Sequence, residues 1–168
     1  HRNVTNERMI KGIADAIKAN ANIGANVIIG FPGETRDMIF ETIDLVRAAR
    51  QVASDQLGEE KAIEKLSSMI HLYQPCSGTP LRKEAIDMGL IPEDFISGDY
   101  RMDSIGTGKM TGDELKGLQR TFNLYVDSPK QLWDDIKIAE KFTDEGNAKF
   151  AEYAKKYQLK HFGRTSFS

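Results

Sequence analysis

A single cysteine, Cys76, is all the thiol this chain contains, and that excludes an internal disulfide. It also excludes a thiolate cluster built by this chain, because structural zinc and iron–sulfur sites take about three or four cysteines. No run of about 18 apolar residues occurs, so nothing reads as a membrane-spanning helix. No signal-peptide pattern opens the sequence, and the default address is the cytoplasm. A large excess of one charge is missing too. The formal net charge is −2, which gives no general electrostatic reason to expect nucleic acid or an acidic membrane as partner, although the tail from Lys141 is mildly basic. There is no internal repeat and no low-complexity tract. What is present, 168 residues of which 40% are hydrophobic and 29% charged, suits one domain with a sizeable core.

The chain is organised around Asn22 to Arg36, NIGANVIIGFPGETR. The apolar run Val27-Ile28-Ile29 is closed by Gly30-Phe31-Pro32-Gly33, and Glu34-Thr35 opens an amphipathic segment. That order predicts a strand over about 23–30, a tight turn and a helix start. β-branched residues between turn formers fit a strand of a parallel sheet buried on both faces. Pro32 cannot donate to a ladder, and Gly33 tolerates the angles that fold a loop over the strand's carboxyl end, where α/β folds and barrels bind ligands.

Before this strand, Met9, Ile10, Ile13 and Ile17 form the apolar face of a helix that Thr5 or Asn6 can cap. After it, Thr35 caps a helix whose Ile39, Ile43 and Val46 repeat through Arg50. The polar run Gln51 to Ser67, with Gly58 at its middle, exceeds a usual connection and reads as an inserted turn or two of helix. Met69 to Tyr73 predicts a second strand over about 68–74, ended by Gln74-Pro75 and followed by a short helix from Leu81 to Met88. The order helix, strand, helix, strand, helix describes two consecutive β/α units. Beyond Pro92 strand signals stop. Ser97 to Gly112 is rich in Gly and Ser and reads as a mobile loop. Thr111 to Glu114 is a capping box, Ser128-Pro129 and Thr143 start further helices, and Phe122, Tyr125, Trp133, Phe150, Tyr153 and Tyr157 fall at core spacing.

Two strands leave an unpaired edge and an uncovered face. The expectation is therefore an α/β chain that forms the carboxyl-terminal β/α units of a partial TIM-like barrel in residues 1–92, followed by a helical extension in residues 93–168, with the missing strands before His1.

The stretch Ile28-Ile29-Gly30-Phe31-Pro32-Gly33-Glu34-Thr35 resembles the fifth strand and loop of radical S-adenosylmethionine (radical SAM) enzymes. Pro75-Cys76-Ser77-Gly78-Thr79-Pro80-Leu81 resembles the turn after their sixth strand, and Arg2-Asn3-Val4-Thr5 resembles the R-x-x-T that begins the helix before strand five. The tail around FNLYVDSPKQLWDDIKIAE is similar to the helical end of the cobalamin-binding branch. Cys76 departs from the family pattern, at a position that shapes a turn.

The resemblance implies that Ile28 and Gly30 face the adenine and ribose of S-adenosylmethionine, with Phe31, Pro32 and Gly33 completing that loop. It implies that Glu34 braces the loop by accepting backbone hydrogen bonds, and that the backbone at Leu72 or Tyr73 meets the adenine edge. The parent would use a [4Fe-4S] cluster, and in the cobalamin branch also cobalamin, to cleave S-adenosylmethionine to a 5′-deoxyadenosyl radical. Neither set of ligands is in this chain. The implied partner is the amino-terminal half of the same protein, and the substrate is a small molecule the sequence does not identify.

Plainer readings stand beside this one. Gly-Phe-Pro-Gly-Glu alone is an ordinary βα turn, and no Lys-Ser/Thr pair follows Gly33 to make a phosphate loop. His71 reads as a wall or packing residue and Cys76 as a turn residue, since a reactive thiol needs a positioned base. His1 and His161 read as solvated. The alternative function is a non-catalytic scaffold or docking module that keeps the barrel edge. On the cofactor reading, Gly30→Val is expected to block cofactor approach and leave the fold mostly intact.

Overall fold

The computed structural model describes residues 4–96 and 104–158. His1, Arg2, Asn3, His161 and the first part of the Ser97–Gly112 loop lie outside the described residues. The chain folds as a mixed α/β protein, mostly helical, around a small parallel sheet.

Helix α1 (Asn6–Lys18) starts where the Thr5 hydroxyl accepts from the Arg8 amide, and it leads into β1 (Ile23–Ile29). The crossover to β2 (Leu66–Leu72) is α2 (Arg36–Leu57) followed by α3 (Glu59–Lys65). Helix α2 is capped by Thr35, carries Asp37 in its first turn where the helix dipole favours negative charge, and buries Ile39, Ile43, Val46, Ala49 and Ala53 along one face. The sequence reading ends this helix near Arg50, but the structure carries it on to Leu57. The stripe continues through small residues that a polar run conceals: Ala49, Ala53 and Ala62 pack with Ile17 and Leu66. Gly58, at φ +81°, makes the break between α2 and α3.

The strands pair in parallel register, Ile23 opposite Leu66 through Ile29 opposite Leu72. β2 thus begins and ends two residues earlier than the sequence suggests, although the Tyr73 amide still donates to the Ile29 carbonyl at 2.8 Å. Side chains alternate across the sheet. Ile23, Ala25, Val27 and Ile29, with Leu66, Ser68, Ile70 and Leu72, turn toward the helices; Gly24, Asn26, Ile28, Ser67, Met69 and His71 are exposed on the other face.

Thr79 caps α4 (Pro80–Asp87), which has proline in its first turn. The capping box of Thr111 and Glu114 starts α5 (Gly112–Asp127). A 3₁₀ turn, Lys130–Leu132, precedes α6 (Trp133–Ala139), and α7 (Asp144–Tyr153) ends in a π turn, Ala154–Gln158. Strand and tail share one core: Ile29, Ile39 and Ile43 pack with Leu115, Leu118, Phe122, Tyr125 and Ile136. Phe122 is fully buried there, and truncating it to alanine costs about 3–5 kcal/mol.

Helix α5 also closes the outer edge of β2. The Gln119 amide donates to the Ile70 carbonyl at 3.0 Å, and Asn123 takes the Ser68 hydroxyl at 2.7 Å while its amide reaches the Ser68 carbonyl at 3.5 Å. The match is geometric, because residues four apart on a helix advance about 6 Å and residues two apart on a strand slightly more. On the opposite edge of the sheet, the backbone of Gly24, Asn26 and Ile28 has no hydrogen-bond partner among the described residues.

Candidate functional site

The loop after β1 is held from within. Gly30 takes φ +90° and Gly33 φ +76°, angles open to glycine and strained for other residues. Both leave the chain doubled back so that the Glu34 carboxylate, 8% exposed, accepts from the Gly30 amide at 2.5 Å and the Phe31 amide at 3.2 Å. The Glu34 amide closes the turn on the Phe31 carbonyl at 3.0 Å, and Pro32 is buried.

The loop is also held from outside, by the segment that precedes α5. The Gly33 amide donates to the Thr107 carbonyl at 2.8 Å, and the Thr107 hydroxyl donates to the Glu34 carbonyl at 2.7 Å. Ser104 to Thr111, read from composition as mobile, is therefore an ordered turn against the loop.

The second wall comes from β2. Tyr73 is buried, and its ring centroid lies 5.4 Å from that of Phe31. Burial first, then Cys76 nearby, raises the Tyr73 pKa, so its phenol stays protonated. Leu72 is half-buried with its side chain toward the helices, and Ile28, 48% exposed, stands opposite His71 on the open face. Asn26, Ile28, Phe31, Met69, His71 and Tyr73 thus line one cleft of about 1240 Å³ that runs over the open face of the sheet to its carboxyl end. Cys76, exposed as a free thiol, is on its rim. Beyond the cleft, Arg82 fixes the chain after β2 by donating to the carbonyls of Pro75 (3.1 Å), Glu93 (3.0 Å) and Phe95 (2.7 Å).

Gly30 behaves differently from the expectation. A Cβ built there points away from the open face, at the Leu115 side chain 3.1 Å away. Gly30→Val would strain the backbone at φ +90° and press on the Leu115 side chain, so a cost in stability is expected beside any effect on the cleft.

Behind the loop, Arg36 opens α2 and grips both oxygens of Glu140, at 2.9 and 2.5 Å. The Tyr125 hydroxyl donates to the same carboxylate. Burial works against the Arg36 charge, but Glu140 more than offsets it and raises the pKa. Burial, with the Glu140 charge beside it, pushes the Tyr125 phenol far up. Arg36, Thr107, Arg82 and Glu140 escaped the sequence reading, since their partners lie up to 104 residues away; only the glycines around Thr107 hinted at a tight turn.

The cleft offers two aromatic rings, an exposed isoleucine and strand-end backbone, the mainly apolar lining with a few polar groups that ligand pockets have. It does not fit an iron–sulfur cluster. Among the described residues no group of three or more His, Cys, Asp or Glu could hold a metal ion. Nor is any described helix long and apolar enough to cross a membrane.

No family model matches the chain. No solved structure matches it either. It is similar to proteins named tRNA-2-methylthio-N(6)-dimethylallyladenosine synthase. That of Desulforamulus reducens is 28% identical over 64% of this chain and 25% of its own length. The Thermoanaerobacter sp. protein is 31% identical over 62% of this chain and 26% of its length. The Bifidobacterium longum protein is 32% identical over 54% of this chain and 15% of its length. The chain thus spans about a quarter or less of the curated relatives it matches. These similarities support the radical SAM resemblance at the level of the superfamily, and they lend nothing to its cobalamin-binding branch.

Proposed function

We propose that this chain supplies part of the S-adenosylmethionine wall of a radical SAM enzyme. One observation carries the reading: the glycine-rich loop after β1 and Tyr73 after β2 meet around a single cleft at the carboxyl end of a parallel sheet. Parallel sheets bind ligands at that end. The similarity to the synthases supports it independently.

In this reading residues 1–92 are the last β/α units of a partial barrel and residues 93–168 a helical extension in contact with them. The open edge of β1 accepts the preceding strand of the barrel, while α5 ends the sheet at β2. Phe31 and Tyr73 offer ring faces to the adenine, and Ile28 an apolar ridge beside it. Gly30, Pro32 and Gly33 shape the loop, Glu34 fixes its amides, and Leu72 contributes backbone. The cluster, which when bound supplies the electron for cleavage of S-adenosylmethionine, is held by residues outside this chain. The cytoplasm is the address this reading implies. The names of the relatives make an adenosine of tRNA the first substrate to test, one that a net charge of −2 does not itself suggest.

The test joins the chain to its native upstream sequence. After anaerobic reconstitution, S-adenosylmethionine should bind and 5′-deoxyadenosine should form with a strong reductant. Binding should fall when Phe31 and Tyr73 are replaced together by alanine. A joined protein that neither binds nor cleaves S-adenosylmethionine would leave the scaffold reading in its place.

A further inference from the structure

We infer that Thr107 is the positioning residue of the Gly30–Glu34 loop, setting the loop's geometry for its ligand from a segment that does not line the cleft. The inference rests on the cofactor reading for its ligand, and on geometry alone for the positioning.

Thr107 is completely buried, and every polar group it has is used. Its hydroxyl donates to the Glu34 carbonyl at 2.7 Å and accepts from the amides of Lys109 at 3.1 Å and Met110 at 3.0 Å. Its carbonyl accepts from Gly33 at 2.8 Å, and its own amide donates to the Met110 carbonyl at 3.0 Å. Two of these bonds hold consecutive loop residues; the other three lock Thr107 into its own turn. That turn is tight. Gly106 has φ +74°, and a Cβ on it would stand 2.8 Å from the Met110 carbonyl oxygen.

The consequence runs through Glu34. Fixing the backbone on both sides of the Gly33–Glu34 peptide aims the Glu34 side chain, whose carboxylate then orders the Gly30 and Phe31 amides. A hydroxyl at 107 has therefore an effect four residues beyond the atoms it touches, on the amides and the ring that face the ligand. Preorganisation of this kind strengthens binding because less order has to be imposed when the ligand arrives. Valine at 107 keeps the shape and removes the donor. It leaves the Glu34 carbonyl and the Met110 amide buried without that partner, and the part-buried Lys109 amide as well, which is costlier than losing an exposed bond.

The experiment compares wild type, Thr107→Val and Thr107→Ser in the protein that includes the upstream sequence. Hydrogen exchange is read at the Gly30, Phe31 and Gly33 amides and at core amides of α5, beside the equilibrium affinity for S-adenosylmethionine. The expected result is exchange about tenfold faster at the three loop amides in Thr107→Val, with unchanged α5 amides and about tenfold weaker binding, the size of one lost buried hydrogen bond. Thr107→Ser should restore both. Thr107→Val with wild-type loop exchange overturns the inference, as does faster exchange throughout the core or failure of Ser to rescue. If Thr107→Val does not fold, Thr107→Cys replaces it, since a thiol is a weak donor; loop exchange no faster than wild type again overturns the inference. If the wild type does not bind S-adenosylmethionine while Thr107→Val still frees only the loop amides, the cofactor reading fails and the positioning stands.

Discussion

Arg36 and Glu140 lie 104 residues apart in the chain and are joined by a two-pronged ion pair, Nη1 to Oε2 at 2.9 Å and Nη2 to Oε1 at 2.5 Å. The pair ties the first residue of α2 to the end of α6. Planar guanidinium matches planar carboxylate here, which lysine could not do. Glu140→Gln keeps the shape and removes the charge, and it should lower unfolding free energy by about 2–3 kcal/mol, the range of a charge-assisted bond lost where water does not replace it. Urea titration would show it as a lower midpoint at unchanged slope. A change within about 0.5 kcal/mol, as at an ordinary surface position, would show the pair to be dispensable.

Alkaline pH should release the same region. Tyr125 holds its proton more tightly folded than unfolded, chiefly through burial and then through the Glu140 charge. A raised pKa contributes stability fully below the unfolded value of 10.0, and that contribution drains as pH rises above it. Melting temperature should therefore fall from about pH 10 upward. Tyr73 and Tyr153 shift in the same direction, so Tyr125→Phe should shallow the fall without abolishing it. An alkaline slope identical in Tyr125→Phe would remove Tyr125 from the cause.

Gly30→Ala tests whether the loop glycine serves the fold as well as the cleft. Positive φ costs an ordinary residue about 1–2 kcal/mol, and the Leu115 contact adds to that. The expected outcome is a thermal shift of several degrees downward, and in a double-mutant cycle Gly30→Ala should cost less in a Leu115→Ala background than in the wild type. Gly33→Ala meets nothing within 4 Å and should show the backbone cost alone. Equal losses at the two glycines would mean that Leu115 is irrelevant.

The 168-residue chain by itself carries an exposed Ile28 and Met69 beside an open strand edge. Such edges template pairing between molecules. Ile28→Lys should reduce concentration-dependent association in sedimentation runs while circular dichroism is unchanged. Association that Ile28→Lys does not touch would locate the sticky surface elsewhere.

Local signals were read well and distant ones were not. Thr5, Thr35, Thr111 and Thr143 each accept an amide at a helix start, and each stands beside a run whose periodicity names the helix. Val27 to Pro32 likewise shows a strand and its end within a few residues. α2 was cut short because alanines, not large residues, continue its buried stripe. The outer brace of the loop was invisible for another reason: Thr107 contacts Glu34 across 73 residues, and no periodicity links the two. The glycine at position 30 was read for what it would let in, when its missing side chain also makes room for Leu115.

The clamp of Gln119 and Asn123 on β2 sets an order of events while the polypeptide is being made. β2 is complete once Leu72 has left the ribosome, yet the amides that cover its edge arrive with α5, Gly112–Asp127. At about 5–20 residues per second that gap is on the order of seconds, long compared with the microseconds in which strands pair. Through that interval the nascent sheet is open on the β2 side, and it acquires a directional end only when the helical tail is synthesised. Stalling translation between the two segments should therefore yield chains that chaperones hold and protease cuts near Ile70, a vulnerability the finished molecule no longer has.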